Sequence, residues 1–159
     1  MTDDVSLAQS VEKVLREVVQ VYAPDSAVIS VAEPKSGVTV IEQTPVSSRS
    51  AKIVANVESK YGLTTLIFGV GSVFEIPTTG RRYTGLAFSD EIKSLCSAVV
   101  QGRFEEIVWT RKDQIIRATG KVDVGGRIIR SSWIELFPVL FILGKKRRIQ
   151  YRPYRESQT

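Results

Sequence analysis

The stretch WIELFPVLFILGKKRRIQYRPYR, from Trp133 to Arg155, demands two environments at once. Its first half carries Trp133, Ile134, Leu136, Phe137, Val139, Leu140, Phe141, Ile142 and Leu143, with Glu135 as the one charge, and calls for burial. Its second half places Lys145, Lys146, Arg147, Arg148, Arg152 and Arg155 within eleven residues and without an acid. Unpaired cations are almost never fully buried. A core-forming segment therefore hands over at Gly144 to a solvated basic one, and the fold has to present that junction at its surface.

The same segment accounts for the overall charge. The chain of 159 residues has a formal net charge of +5, from 22 Lys and Arg against 17 Asp and Glu. With the six cations of 145–155 set aside, 16 bases face 17 acids, so the excess belongs to the tail. A polyanion binder that uses its whole surface carries a broader basic field than this. The length is sufficient for one domain with a real core, without metal or disulfide staples. Cys96 is the only cysteine, which rules out an intrachain disulfide and suits a reducing compartment. The acidic start MTDDVSLAQS lacks the apolar centre of a secretory signal. The run at 133–143 is shorter than the ~20 residues of a membrane span. A soluble cytoplasmic protein with no transmembrane segment is expected.

Periodicity supplies the elements. Leu7, Val11, Val14, Leu15, Val18 and Tyr22 recur at helical spacing, with Ser6 and Gln9 placed as a capping box, which predicts a helix over about 6–22. The segments 26–32 and 38–43 read as a hairpin across Glu33 to Gly37, broken after Gln43 by Thr44-Pro45. A further strand is expected near 53–57, and 63–68 pairs with 72–76 across Gly69-Val70-Gly71. The loop PTTGRRYTG, Pro77 to Gly85, leads to Ser89 as N-cap of a second helix over about 90–101, whose stripe is Ile92, Leu95, Cys96 and Val99. Strands follow at 103–109, 114–122 and 127–136, and the segments 139–143 and 147–154 offer one or two more. The order predicts a segregated α+β fold, a mostly antiparallel multi-stranded sheet with the two helices packed on it. One domain over 1–159, with a basic C-terminal segment from 145, is the expected organisation.

The residue types exclude more chemistry than they suggest. With no histidine in the chain, the commonest general base and metal ligand is absent. Cys96 lies on an apolar helical stripe, where it reads as core rather than nucleophile. Glu105 and Glu106 are neighbours on a strand, so their carboxylates point to opposite faces and cannot converge on one atom. Asp90 and Glu91 suit the positive end of a helix. Gly69-Val70-Gly71 has Phe74 where a dinucleotide fingerprint needs its third glycine, and Gly144-Lys145-Lys146 lacks the rest of a phosphate loop. No catalytic residue, cofactor or metal is expected.

Two basic and aromatic segments remain as candidate binding residues: Arg81, Arg82 and Tyr83 in the long loop, and Lys145, Lys146, Arg147, Arg148, Tyr151, Arg152, Tyr154 and Arg155 in the tail. Cations neutralising phosphates while tyrosines stack on bases would make the tail a nucleic-acid site. Alternatively these residues form a surface for a protein partner, or the cations protect an edge strand beside an apolar run from association.

A compact, cysteine-poor, histidine-free α+β plan resembles the small cytoplasmic immunity proteins that neutralise bacterial polymorphic toxins. The resemblance lies in the helix-then-sheet layout of the whole chain, from Val5-Ser6-Leu7 to Ile134-Glu135-Leu136, and in no short motif. It implies a non-catalytic protein-binding module whose partner is a toxin. Immunity proteins against nucleases tend to be acidic, so the basic tail implies a toxin with an acidic face or one that does not act on nucleic acid. A nucleic-acid-binding domain using the basic aromatic tail is the alternative.

Overall fold

A computed structural model of the protein describes residues 2–32, 36–79, 82–131 and 144–156, with side chains from residue 7 onward. It is an α+β fold of two α-helices and nine strands among those residues: α1 (Thr2–Tyr22), β1 (Ala27–Ala32), β2 (Thr39–Pro45), β3 (Ile53–Glu58), β4 (Leu63–Phe68), β5 (Ser72–Pro77), α2 (Phe88–Val100), β6 (Phe104–Arg111), β7 (Gln114–Val124), β8 (Arg127–Arg130) and β9 (Lys145–Gln150). All neighbouring strands are antiparallel, but they divide into two sheets rather than one, a five-stranded meander β1-β2-β3-β4-β5 and a four-stranded sheet β8-β7-β6-β9.

Alternation along the strands decides which face is core. Ile53, Ala55 and Val57 of β3, Leu66 and Phe68 of β4, and Phe74 and Ile76 of β5 are all fully buried, and they face the helices. The α1 stripe Val11, Val14, Leu15 and Val18 and the α2 stripe Ile92, Leu95, Cys96 and Val99 are buried as their spacing predicts. Phe104, Val122 and Ile129 bring the second sheet into the same cluster.

Several boundaries differ from the sequence reading. The first helix begins at Thr2, so Ser6 is inside it and not its cap. Ala87, not Ser89, is the N-cap of α2, because Glu91 turns back to accept hydrogen bonds from the amides of Tyr83 and Thr84 and fixes the incoming loop. Strand β2 runs through Pro45, which breaks no bond because the amide of Val46 makes the next one, to the Ser26 carbonyl. Strand β9 ends at Gln150 rather than Tyr154, since the Arg152 amide leaves the sheet and donates to the Arg49 carbonyl at 2.9 Å. The expected continuation of β8 to residue 136, the strand at 139–143 and the apolar run at 133–143 lie outside the described residues.

The two sheets meet at the β4–β5 turn. Gly120 of β7 lies against Ser72, where an added Cβ would come within 2.6 Å of both Ser72 Oγ and the Phe104 ring. Phe68 and Phe104 meet edge to face at 5.8 Å between centroids. From β6, the fully buried Glu106 reaches into the turn. Its Oε1 accepts from the Gly71 amide at 3.0 Å and Ser72 Oγ at 2.7 Å, and its Oε2 accepts from the Val70 amide at 2.9 Å and Tyr151 Oη at 2.7 Å. Gly69, at φ +64°, leaves the room for this, since a Cβ there would lie 2.5 Å from both Glu106 Oε2 and Tyr151 Oη.

Deleting the carboxylate removes the acceptor of two buried hydroxyls and two part-buried amides, and each buried group left unsatisfied costs about 1–3 kcal/mol. Glu106→Ala is expected to destabilise the fold by at least ~3 kcal/mol, with Glu106→Gln intermediate, as read by urea unfolding. A loss below 1 kcal/mol for the alanine variant would remove this carboxylate from its place as the joint between the sheets.

Candidate functional site

The outer face of the four-stranded sheet collects charge from all of its strands. In an antiparallel sheet, directly opposed residues share a face. Arg130, Lys121, Glu105 and Gln150 form one such row across β8, β7, β6 and β9, and Arg117, Trp109 and Lys146 form another across β7, β6 and β9. Between them Arg148 stands opposite Ile107. A shallow groove of about 360 Å³ runs along this face, lined by Arg103, Phe104, Glu105, Lys121, Asp123, Ile128, Arg130 and Gln150.

Ion pairs order part of the face. Arg148 Nη2 lies 2.7 Å from Glu105 Oε2, and Lys121 Nζ lies 3.6 Å from Glu105 Oε1. The Arg148 hydrogen bond holds the Glu105 carboxyl below the usual glutamate range, and the Lys121 charge adds to this. Trp109 has the Arg117 guanidinium 4.6 Å and Lys146 Nζ 5.7 Å from its ring centroid. Both are cation–π distances. Arg103 and Arg130 are exposed and form no ion pair among the described residues.

The residues singled out by sequence divide into three groups. Lys145, Lys146, Arg147 and Arg148 are all exposed on β9, and the register puts Lys146 and Arg148 on the charged face and Arg147 on the other. Arg152 and Arg155 lie beyond the strand and are exposed, with Arg152 paired to Glu156 at 2.9 Å. The tyrosines between them are not presented to solvent. Tyr151 is 9% exposed and stacks on Phe104 at 5.1 Å, and Tyr154 is 5% exposed and donates to the Ala51 carbonyl at 2.6 Å. Burial pushes both phenols well above their usual range. Their rings are therefore unavailable for stacking on bases.

In the loop, Arg82 pairs with Glu75 of β5 at 3.2 Å, and Tyr83 is half-buried, with its ring 5.6 Å from Phe74 and its hydroxyl accepting from the Glu75 amide. Arg81 lies outside the described residues. Arg82 pairs with the five-stranded sheet and the β9 cations belong to the four-stranded one, so Arg82 and the β9 cations do not form one site. Sequence reasoning missed Arg103, Lys121, Arg130 and Trp109. The alternation Arg117, Thr119, Lys121, Asp123 was a visible signal for a polar face on β7, but nothing local places it beside Glu105 or Trp109.

The buried acids and the thiol are structural. Glu106 is saturated by four donors, Glu91 Oε1 holds the Tyr83 and Thr84 amides, and burial drives the Cys96 thiol far above the usual cysteine range. Among the described residues no group of three or more His, Cys, Asp or Glu is placed to hold a metal, and no helix is long and apolar enough to cross a membrane. No protein-family model matches the chain, and no curated protein or solved structure matches it.

Because the Glu105 carboxyl is held low in the folded state, its pairing stabilises the protein fully above the ordinary glutamate pKa of about 4.3 and is lost as pH falls through the lowered folded value. The stability difference between the natural chain and Glu105→Gln is expected to be constant above about pH 5.5 and to shrink on acidification. Its size is about 1 kcal/mol or less, since Arg148 is 68% exposed. Urea unfolding from pH 2.5 to 7 checks this, and a difference that grows on acidification would contradict it.

Proposed function

We propose that this chain is a non-catalytic protein-binding module that receives an acidic protein surface on the outer face of its four-stranded sheet. One observation carries the reading: Arg103 and Arg130 line the same groove, exposed and without an ion-pair partner among the described residues, together with the exposed Ile128. Guanidinium groups held beside apolar surface form bidentate bonds with carboxylates and steer an acidic partner into register. Glu105 and Asp123 in the same groove would meet cations on the partner's rim and reject a uniformly acidic surface.

The layout of the chain, similar in plan to small immunity proteins, supports a toxin as that partner, neutralised by direct binding. A lone buried cysteine fits action in the reducing cytoplasm. The competing reading, a nucleic-acid-binding domain using the tail, keeps its cations on β9 but loses the aromatic half of its argument with Tyr151 and Tyr154 in the core.

Arg103→Glu combined with Arg130→Glu tests the reading. Both side chains are exposed, so the melting temperature should hardly move. Capture of the protein partner from the native host should fall by about tenfold or more for each charge, with slower association. Unchanged capture would overturn the site. Tight binding to DNA or RNA that weakens steeply with salt would favour the nucleic-acid reading instead.

A further inference from the structure

Four strand edges bound the two sheets among the described residues, and three of them carry a device that opposes pairing with another chain. Strand β9 has four consecutive cations, β8 has Arg127 and Arg130 in four residues, and β5 ends in Pro77 and gives its Glu75 amide to the Tyr83 hydroxyl. Charges, proline and coverage are the usual protections of a sheet edge. Among the described residues strand β1 has none of them. Its sequence AVISVA is uncharged and proline-free, and Val28 and Val31 are 67% and 44% exposed.

The register shows which of its backbone groups are free. Ala27 is opposite Pro45, so Ser26 is opposite Val46, and the Val46 amide donates to the Ser26 carbonyl at 2.8 Å. In an antiparallel ladder such bonded positions alternate. Residues 28, 30 and 32 therefore turn their backbone groups toward β2, and Ala27, Ile29 and Val31 turn theirs outward. Those three amides and three carbonyls have no hydrogen-bond partner among the described residues.

We propose that β1 pairs with β1 of a second copy of this chain, antiparallel about a two-fold axis at Ile29, so that two five-stranded sheets become one of ten strands. That register sets Ile29 opposite Ile29 of the other copy and Ala27 opposite Val31. All six outward groups of each copy are then used, in six hydrogen bonds between the copies. The axis is perpendicular to the sheet, so both helix-bearing faces stay on the same side. On the outer side Val28 meets Ser30, and no charge opposes a like charge. The same strand cannot match itself so fully with the axis at Ser30, where only Ile29 and Val31 would be bonded within the strand.

Sedimentation equilibrium on the whole chain, over a wide concentration range, is expected to show the mass doubling and then levelling. The amides of Ala27, Ile29 and Val31 should exchange slowly with deuterium at high concentration and quickly on dilution. Val28→Lys with Ser30→Lys sets like charges opposite each other across the axis at two exposed positions, and should return the mass to one copy. A single-copy mass at every concentration would overturn the proposal, as would a doubled mass that survives in a folded lysine variant, or growth past two copies. Should the lysine variant not fold, concentration-independent exchange of the three amides in the natural chain is by itself sufficient to reject it. Protection that arises only with a different protein bound would assign the edge to that protein and reject self-pairing.

Discussion

A single buried carboxylate is the polar joint between the two sheets. Glu106 projects from the inner face of β6 into the β4–β5 turn, and two backbone amides, a serine hydroxyl and a tyrosine hydroxyl converge on it. The amides of Val70 and Gly71 find their acceptor in this carboxylate rather than in a strand partner. The carboxylate needs donors on both oxygens, and the turn needs acceptors. Each makes the other tolerable in the core, which is why the glycine at 69 and the small residues at 72 and 120 cluster where they do.

The C-terminal segment continues the same joint. After the exposed cations of β9, Tyr151 turns inward to complete the Glu106 site, Pro153 lies beside Gly102, and Tyr154 reaches the Ala51 carbonyl and receives the Gln43 amide. The Ser50 hydroxyl donates to the Pro153 carbonyl at 3.0 Å, and the Tyr154 amide donates to the Val100 carbonyl at 2.9 Å. A segment that looks like a solvated basic tail is thus a strap across the five-stranded sheet and the end of α2. Its cations face outward because its aromatic residues are anchored inward.

The molecule offers differently charged outer surfaces on its two sheets. On the five-stranded sheet the outer positions include Glu42, Glu58 and Glu75, with Lys52 and Arg82 paired to two of them. On the four-stranded sheet, cations from three strands surround one paired glutamate. The net charge of the chain conceals this division, since the cations of β7 and β8 are balanced in the total by acids located on the other sheet.

Sequence determined what depends on neighbours along the chain. Helical spacing named the α1 and α2 stripes, β-branched alternation named the strands from β1 to β7, and the run of lysine and arginine had to be exposed because burying it unpaired is prohibitive. Alternation also required that Glu105 and Glu106 face opposite ways, though not that one would order a surface and the other the core. Everything that depends on register between distant strands was decided by tertiary structure. Whether Tyr151 and Tyr154 stack outward or seal the core depends on donors and acceptors that lie 45 and 103 residues away in sequence. The groove face likewise exists only because pairing aligns Arg130, Lys121, Glu105 and Gln150 in one row. A period of two assigns a residue to a face, but only the ladder says which residues share it.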